Sequence, residues 1–313
     1  MKMKSFVAMA VLMAVAATSV FTQGGKWFIE PGVSFTRVDG MDLRVAFRDP
    51  DLQETIGDVI SLENDYKTSL EVSGGYIFSD ESRLTVSFVE HKREPGLYYD
   101  LGVGSLELWD LHIAPFYGGF DFDRVWASNE FRLTMFDVDY TFPVVKTSKW
   151  LFEMLVGLRY TNLENTLNVL YDRGNLAVDV DKSFSSEMYG PKIGLTVKTD
   201  PDKKLGFYTA AAIAILVGNT NTSTFQIDDG GNIVANFGQF HVFDVQKMAE
   251  IELGFTYAFL ENITARLAYR AFVWDSAISQ IWFPDATYTT LYNVNEYNLV
   301  MSSIGLSFTI TFG

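Results

Sequence analysis

The chain has no cysteine and only three histidines in 313 residues. Without cysteine there are no disulfides, no thiolate for catalysis or metal binding, and no lipobox for a lipid anchor. Long apolar runs are missing too. Beyond the N-terminal segment nothing approaches the roughly 20 apolar residues that a membrane-spanning helix needs. Cationic residues are few, 24 Lys and Arg against 39 Asp and Glu, for a formal charge of −15. Such a surface repels nucleic acid and favours cations, and it also keeps long loops hydrated. There is no Gly-rich phosphate loop, metal-spaced histidine cluster or nucleophile elbow. No cofactor, metal site or catalytic residue is expected, and the chain does not read as an enzyme.

What is present begins with "MKMK" followed by "SFVAMAVLMAVAA", a positive n-region and an apolar h-region of the secretory type, with small residues after it. Cleavage after Ala16 or Ala17 would make residues 1–17 a signal peptide and 18–313 the mature domain. With 48% hydrophobic and 15% aromatic residues, the remainder is enough for one large domain.

The closing stretch "SSIGLSFTITFG" sets Ile304, Leu306, Phe308, Ile310 and Phe312 against Ser303, Gly305, Ser307, Thr309 and Thr311. Hydrocarbon on one face and hydroxyls on the other is what a strand between lipid and a polar lumen should show. The same alternation marks ten segments, about 27–37, 68–78, 83–90, 130–142, 150–161, 185–198, 205–218, 245–259, 263–274 and 297–312. Short links such as "SDES" and "TDPDKK" alternate with long ones at 38–67, 91–129, 162–184, 219–244 and 275–296. The expected fold is all-β: a transmembrane antiparallel up-and-down barrel of about ten strands, with twelve as the alternative count. Its short turns should face the periplasm and its long loops the outside. Pairing of the last strand with "KWFIEPGVSFTR" would remove the edges that lipid cannot hydrogen-bond.

Aromatic pairs stand beside the termini and short turns: Trp27 and Phe28, Tyr76 and Phe78, Tyr140 and Phe142, Trp150 and Phe152, Phe207 and Tyr208, Tyr257 and Phe259. They read as a girdle at the periplasmic interface. Phe312 resembles the C-terminal aromatic that barrel-assembly machinery reads, with the departure that Gly313 follows it. The expected partners are outer-membrane lipid and lipopolysaccharide, the assembly machinery, and small solutes or ions, with no nucleic acid.

At "FDVDYTFP", "WLFEMLVGLRYTNLENTL", "SSEMYGPKIGLTV" and "GFYTAAAIAILVGN" the chain resembles the Legionella-type major outer-membrane protein family of pore-forming barrels. The resemblance rests on an Asp-containing strand, Gly157-Leu158-Arg159-Tyr160, Gly190-Pro191, and a small-residue strand ending Val217-Gly218. It covers about 65–90 and 130–220, and "DYKTSLEVSGGYIF" is the weaker part. It implies a porin-like role and carries no catalytic residues.

A ten-stranded barrel is only modestly wider than the eight-stranded kind that side chains fill, so a wide pore is not expected. The inward charged positions are Glu30, Glu71, Glu153, Arg159, Lys192, Glu250, Glu252, Arg266 and Arg270. The turn at 260–262 sets Glu252 about opposite Arg270. Such a set can form a constriction that selects ions, or a network that neutralises a filled lumen, as in a non-conducting structural or adhesive protein.

Three other chemistries are weaker. An omptin-like protease would need Asp and His at the outer rim; His241 near Asp244 and His112 near Asp110 are the candidates. A phospholipase would need a histidine on an inward strand position with a serine beside it, and none is read. Asp228 and Asp229 in "DDGGN" suggest calcium but lack the full ligand set of a calcium loop, and the acidic link 39–66 suggests bridging cations at lipopolysaccharide.

Overall fold

The computed structural model describes residues 25–39, 44–49, 58–62, 65–100, 107–110, 123–172, 174, 177–199, 203–282 and 293–313. The expected signal peptide, and Asp42, Asp51, Glu54, Glu63 and His112, lie outside the described residues.

Fourteen strands follow one another. They are β1 (Lys26–Asp39), β2 (Arg44–Asp49), β3 (Asp58–Ser61), β4 (Lys67–Ile77), β5 (Arg83–Arg93), β6 (Gly96–Asp100), β7 (Glu107–Asp110), β8 (Arg124–Lys146), β9 (Trp150–Asp172), β10 (Ala177–Thr199), β11 (Leu205–Asp228), β12 (Ile233–Leu260), β13 (Ile263–Trp282) and β14 (Asn293–Phe312). Ten of them close a ring in the order β1, β4, β5, β8 to β14, because β14 pairs back onto β1 and β5 pairs with β8. All neighbours are antiparallel, and Trp27 stands opposite Phe312 at the seam. Closure leaves no unpaired strand edge to face lipid, which cannot hydrogen-bond it.

The remaining strands belong to the long links. β6 carries on where β5 stops, pairing with the same edge of β8. Pro95 lies between them, and its missing N–H accounts for the break in the ladder. β2 pairs with β3 and with β7, joining the first long link to the second.

Two of the long links are not loops. β9 and β10 run on as a hairpin to Asp172 and Ala177, and β11 and β12 to Asp228 and Ile233. β9 shows where the continuous apolar outer face ends. On β9 the outward residues Trp150, Met154, Val156 and Leu158 are exposed up to the level of Tyr160, a stretch matching the 9–11 residues of a tilted membrane strand. Above it the outward side carries Asn162, Glu164, Thr166 and Asn168, so the hairpin stands in water.

The tip of the β11–β12 hairpin is closed by Asp228, whose carboxylate accepts from the Asn232 backbone N–H at 2.7 Å and from its Nδ2 at 2.9 Å. Gly231 takes φ +77°, which the turn needs. Asp228 therefore closes a turn here, and no metal-binding cluster occurs among the described residues.

The aromatic girdle is present with a correction. Residues two apart share a face and consecutive ones do not. Trp27, Tyr76, Phe78, Tyr140 and Phe142 touch in series on the outside, with ring centroids 5.1, 5.0, 6.2 and 5.8 Å apart. Phe28 and Tyr208 point inward and are buried in the barrel.

An epitope inserted between Gly230 and Gly231 is expected to be stained by antibody on intact cells, and the same epitope after Lys149 only once the outer membrane is permeabilised. The opposite result would invert the barrel. Phe312 is 53% exposed on the outer face of the closing strand. Phe312→Ser is expected to lower the yield of folded protein in the outer membrane several-fold, measured as the heat-modifiable band on a gel. Wild-type yield would show that this ring is not read during assembly.

Candidate lumen site

Inward side chains of the lower barrel build a layer of ion pairs. Arg159 on β9 donates through Nε and Nη2 to both oxygens of Asp137 on β8, at 2.8 and 2.6 Å. Its Nη2 also reaches Glu250 on β12 at 2.9 Å, across two intervening strands. Lys192 on β10 meets Asp137 at 2.8 Å, Asp139 at 2.9 Å and Glu250 at 3.3 Å. The two cations and three carboxylates form one buried cluster. Every member has partners of opposite charge, the condition for holding charge away from water.

A second cluster faces it. The register of β12 and β13 sets Glu252 opposite Arg270, and Arg270 Nη2 lies 2.7 Å from its carboxylate. Glu252 also accepts from Tyr208 Oη and from Arg266 Nη1, the latter at 3.3 Å. Arg266 holds Glu30 at 2.6 Å, and Arg270 reaches Glu71 at 3.4 Å. Ser307 and Thr309 complete Glu30, each at 2.8 Å. Nearer the short turns, Glu153 takes Arg83 at 3.2 Å and Lys198 at 2.6 Å on the same oxygen. The structure thus places all nine charged positions singled out in the sequence inside the barrel, each in an ion pair.

One glycine makes room for the first cluster. A Cβ at Gly157 would lie 2.1 Å from Asp139 Oδ1 and 2.7 Å from the Val138 carbonyl. Only a residue without Cβ leaves the carboxylate where Lys192 can reach it.

Above the ion pairs the lumen is packed with large apolar side chains, among which Lys182, Arg93, Asn129, Asn165 and Gln226 are also buried. Val38, Phe131, Leu163, Phe184, Leu216 and Trp274 belong to a continuous buried cluster that fills the ring. Below them lies a cavity of about 620 Å³, lined by Glu30, Glu71, Asp139, Lys198 and Arg266 among others. The barrel is a polar chamber at the short-turn end, roofed by ion pairs and then by hydrocarbon.

A chain of hydroxyls joins the two layers. Glu71 accepts from Ser34 Oγ at 2.7 Å, Ser34 lies 3.4 Å from Thr36, and Thr36 accepts from Ser69 at 3.0 Å. Ser69 Oγ is 2.6 Å from His91 Nδ1, and the His91 ring packs edge-on against Phe131. The expectation that no histidine lies inward beside a serine is therefore overturned. β5 runs to Arg93, three residues beyond the expected end at 90, and so carries His91 into the barrel. Both members are closed to substrate, His91 with no exposed area and Ser69 with 1%. His241 lies exposed on β12 opposite Thr220, and Asp244 is held by Gln246.

Asp137, Asp139, Tyr208, Arg83, Lys198 and His91 escaped the sequence reading. The first two carried a signal: in "FDVDYTFP" they alternate with Val138 and Tyr140, and Thr141 continues the polar face.

Ten antiparallel strands closed around a charged lumen, with an apolar belt outside, define an outer-membrane β-barrel. Residues 41–308 match the family described as "Legionella pneumophila major outer membrane protein precursor", and the chain belongs to that family. It is a protein of the outer membrane. The match takes in nearly the whole ring, far beyond the segments whose motifs carry the resemblance.

No curated protein matches the chain by sequence. Among solved structures it is similar to the outer-membrane protease OmpT from Escherichia coli, with 9% identity, TM-score 0.49, and 92% of this chain and 97% of that one covered. The Pseudomonas putida toluene transporter TodX aligns with 11% identity and TM-score 0.33 over 95% and 91% of the two chains. Neisserial surface protein A aligns with 11% identity and TM-score 0.27 over 91% and 98%.

Removing a buried cation leaves carboxylates facing each other without a counter-charge. Arg159→Met is expected to cost about 3–5 kcal/mol, read from urea unfolding of the barrel in lipid vesicles. Gly157→Val should destabilise in the same assay by displacing Asp139 from Lys192. Unfolding midpoints equal to wild type in both variants would show that the cluster does not hold the lumen together.

Proposed function

We propose that this barrel is an outer-membrane channel for ions or small solutes, shut in the conformation described, and not an enzyme. The observation that supports this best is the chamber of about 620 Å³ with charges of both signs on its walls. Filling the same space with hydrocarbon would give equal or greater stability, since buried ion pairs often cost more in desolvation than they return. A barrel serving only as scaffold gains nothing from keeping them.

In this reading Glu30, Glu71, Glu153, Arg159, Lys192, Glu250, Glu252, Arg266 and Arg270 line the constriction. A passing ion exchanges hydration for their carboxylates or cations in turn. The apolar layer around Trp274 and Phe131 is the gate, because a dry hydrocarbon constriction resists wetting. Lipid and lipopolysaccharide surround the belt, and the assembly machinery delivers the chain. The buried Ser69–His91 pair has no path to a substrate and serves structure.

One observation favours a second reading. The apolar layer includes side chains with no exposed area, Phe131 and Trp274 among them, as in a permanently sealed scaffold that presents its outer hairpins as an adhesive or structural surface.

Current through planar bilayers separates the two. Wild type should give rare, small openings. Trp274→Ala should raise the open fraction several-fold while costing about 3–5 kcal/mol of stability. Arg270→Ala leaves Glu252 and Glu71 short of a cation and should shift the reversal potential in a salt gradient toward cation preference. Silence from all three proteins, where a known porin conducts, would overturn the channel and leave the scaffold. Equal selectivity in two conducting proteins would remove Arg270 from the constriction.

A further inference from the structure

The charges of the lumen are unevenly shared between its two levels. In the roof, six carboxylates (Glu30, Glu71, Asp137, Asp139, Glu250, Glu252) face four cations (Arg159, Lys192, Arg266, Arg270). At the periplasmic mouth the balance reverses among the described residues that line the cavity. Arg83 from β5, Lys198 from β10 and Lys203 from the following turn line the same cavity as Thr85, Thr141 and Thr196. Glu153 is the carboxylate between the first two.

Arg83 Nη2 and Lys198 Nζ converge on one oxygen, Glu153 Oε2, at 3.2 and 2.6 Å. The Glu153 side chain is 4% exposed, whereas those of Arg83 and Lys198 are 32% and 26% exposed and open to the chamber. One negative charge is thus shared by two cations in a confined space, with a third cation on the rim. Each cation keeps N–H donors that a single oxygen cannot take up, five being available on the guanidinium alone.

We propose that the periplasmic mouth is a binding site for a small soluble oxyanion of the phosphate class. A dianion matches the excess of positive charge left by Glu153. The planar guanidinium of Arg83 suits two phosphate oxygens at once, Lys198 supplies a point charge beside it, and the threonine hydroxyls can donate to the remaining oxygens. Glu153 competes with the ligand for the same two cations and so sets the affinity. The site sits below the roof, so occupancy requires only access from the periplasm and does not depend on conduction.

The test is calorimetric titration of inorganic phosphate into the full-length barrel in detergent micelles, at fixed ionic strength and neutral pH. Glycerophosphoglycerol, the deacylated form of a lipid headgroup, is titrated in parallel. Wild type should bind phosphate saturably and more tightly than the diester. Arg83→Gln and Lys198→Met should each weaken binding by about tenfold, the loss of one charge-assisted contact. Lys203→Ala, on an exposed turn where folding is safe, should weaken it by less. Glu153→Gln should tighten it, which a merely structural role for this group would not do. Folding of each variant is checked by heat-modifiable mobility. Absence of saturable binding to wild type, binding of the diester alone, or equal affinity in Glu153→Gln, Lys198→Met and Lys203→Ala would overturn the site. A barrel silent in bilayers that still binds phosphate would refute the channel and leave this site standing.

Discussion

The boundary between lipid and water, crossed once by every strand of the ring, fixes which face of the strand is apolar. Below it the outside is hydrocarbon, so Val138 and Tyr140 point out and Asp137, Asp139 and Thr141 point in. Above it the outside is water, and on the same strand Phe131, Leu133 and Met135 point in while Glu130 and Arg132 point out. The backbone does not change; the solvent does. β10 makes the same switch at Tyr189. Val178, Val180 and Phe184 fill the interior above it together with the buried Lys182, and Lys192 and Lys198 line the interior below it. The two-storey lumen follows: a layer of cross-lumen ion pairs where the barrel is ringed by lipid, and a layer dominated by large apolar side chains where it stands in water.

Each storey then has its own satisfaction problem. Charges inside the membrane zone must find partners across the lumen, since their neighbours on the next strand are often glycine, alanine or threonine. Hence Arg159 and Lys192 both reach Glu250, two strands and one strand beyond their adjoining neighbours. The upper storey holds by packing, supplemented by paired amides such as Asn129 and Asn165 at 2.8 Å. The hydroxyl chain from Glu71 through Ser34, Thr36 and Ser69 ends on His91, whose ring touches Phe131. A rearrangement of Arg270 or Glu71 therefore has a physical route to the apolar layer.

The same boundary decides what could be read from the sequence. Within the belt, alternation is clean, and ten strands, their order and the lipid face of "SSIGLSFTITFG" were legible. At the switch the apolar residues change face, which in a one-dimensional pattern looks like the end of a strand. That is why 162–184 and 219–244 read as loops although they are hairpin continuations. β12 adds a further slip at Phe243, an extra residue with φ 60° opposite the Gly218–Asn219 step. Above it, the outward positions change parity. His91 lies just above the switch on β5, so the strand seemed to stop before it. The cross-lumen partners were beyond reach for another reason: Glu250 and Arg159 are joined by ring curvature, which no local register contains.

Closure also constrains how such a lumen can rearrange. Each strand of the ring is hydrogen-bonded on both sides, and parting any pair would expose backbone to lipid at a cost of several kcal/mol per group. Motion is therefore confined to side chains and to the hairpins standing in water. In the roof, the cheapest change is exchange among partners already present. Glu250 is within reach of both Arg159 and Lys192, and Glu252 of Arg266 and Arg270, so a carboxylate can leave one cation without being stranded. The apolar layer has no such alternatives. Trp274 and Phe131 can only repack or admit water, so that layer rearranges less readily than the ion pairs below it.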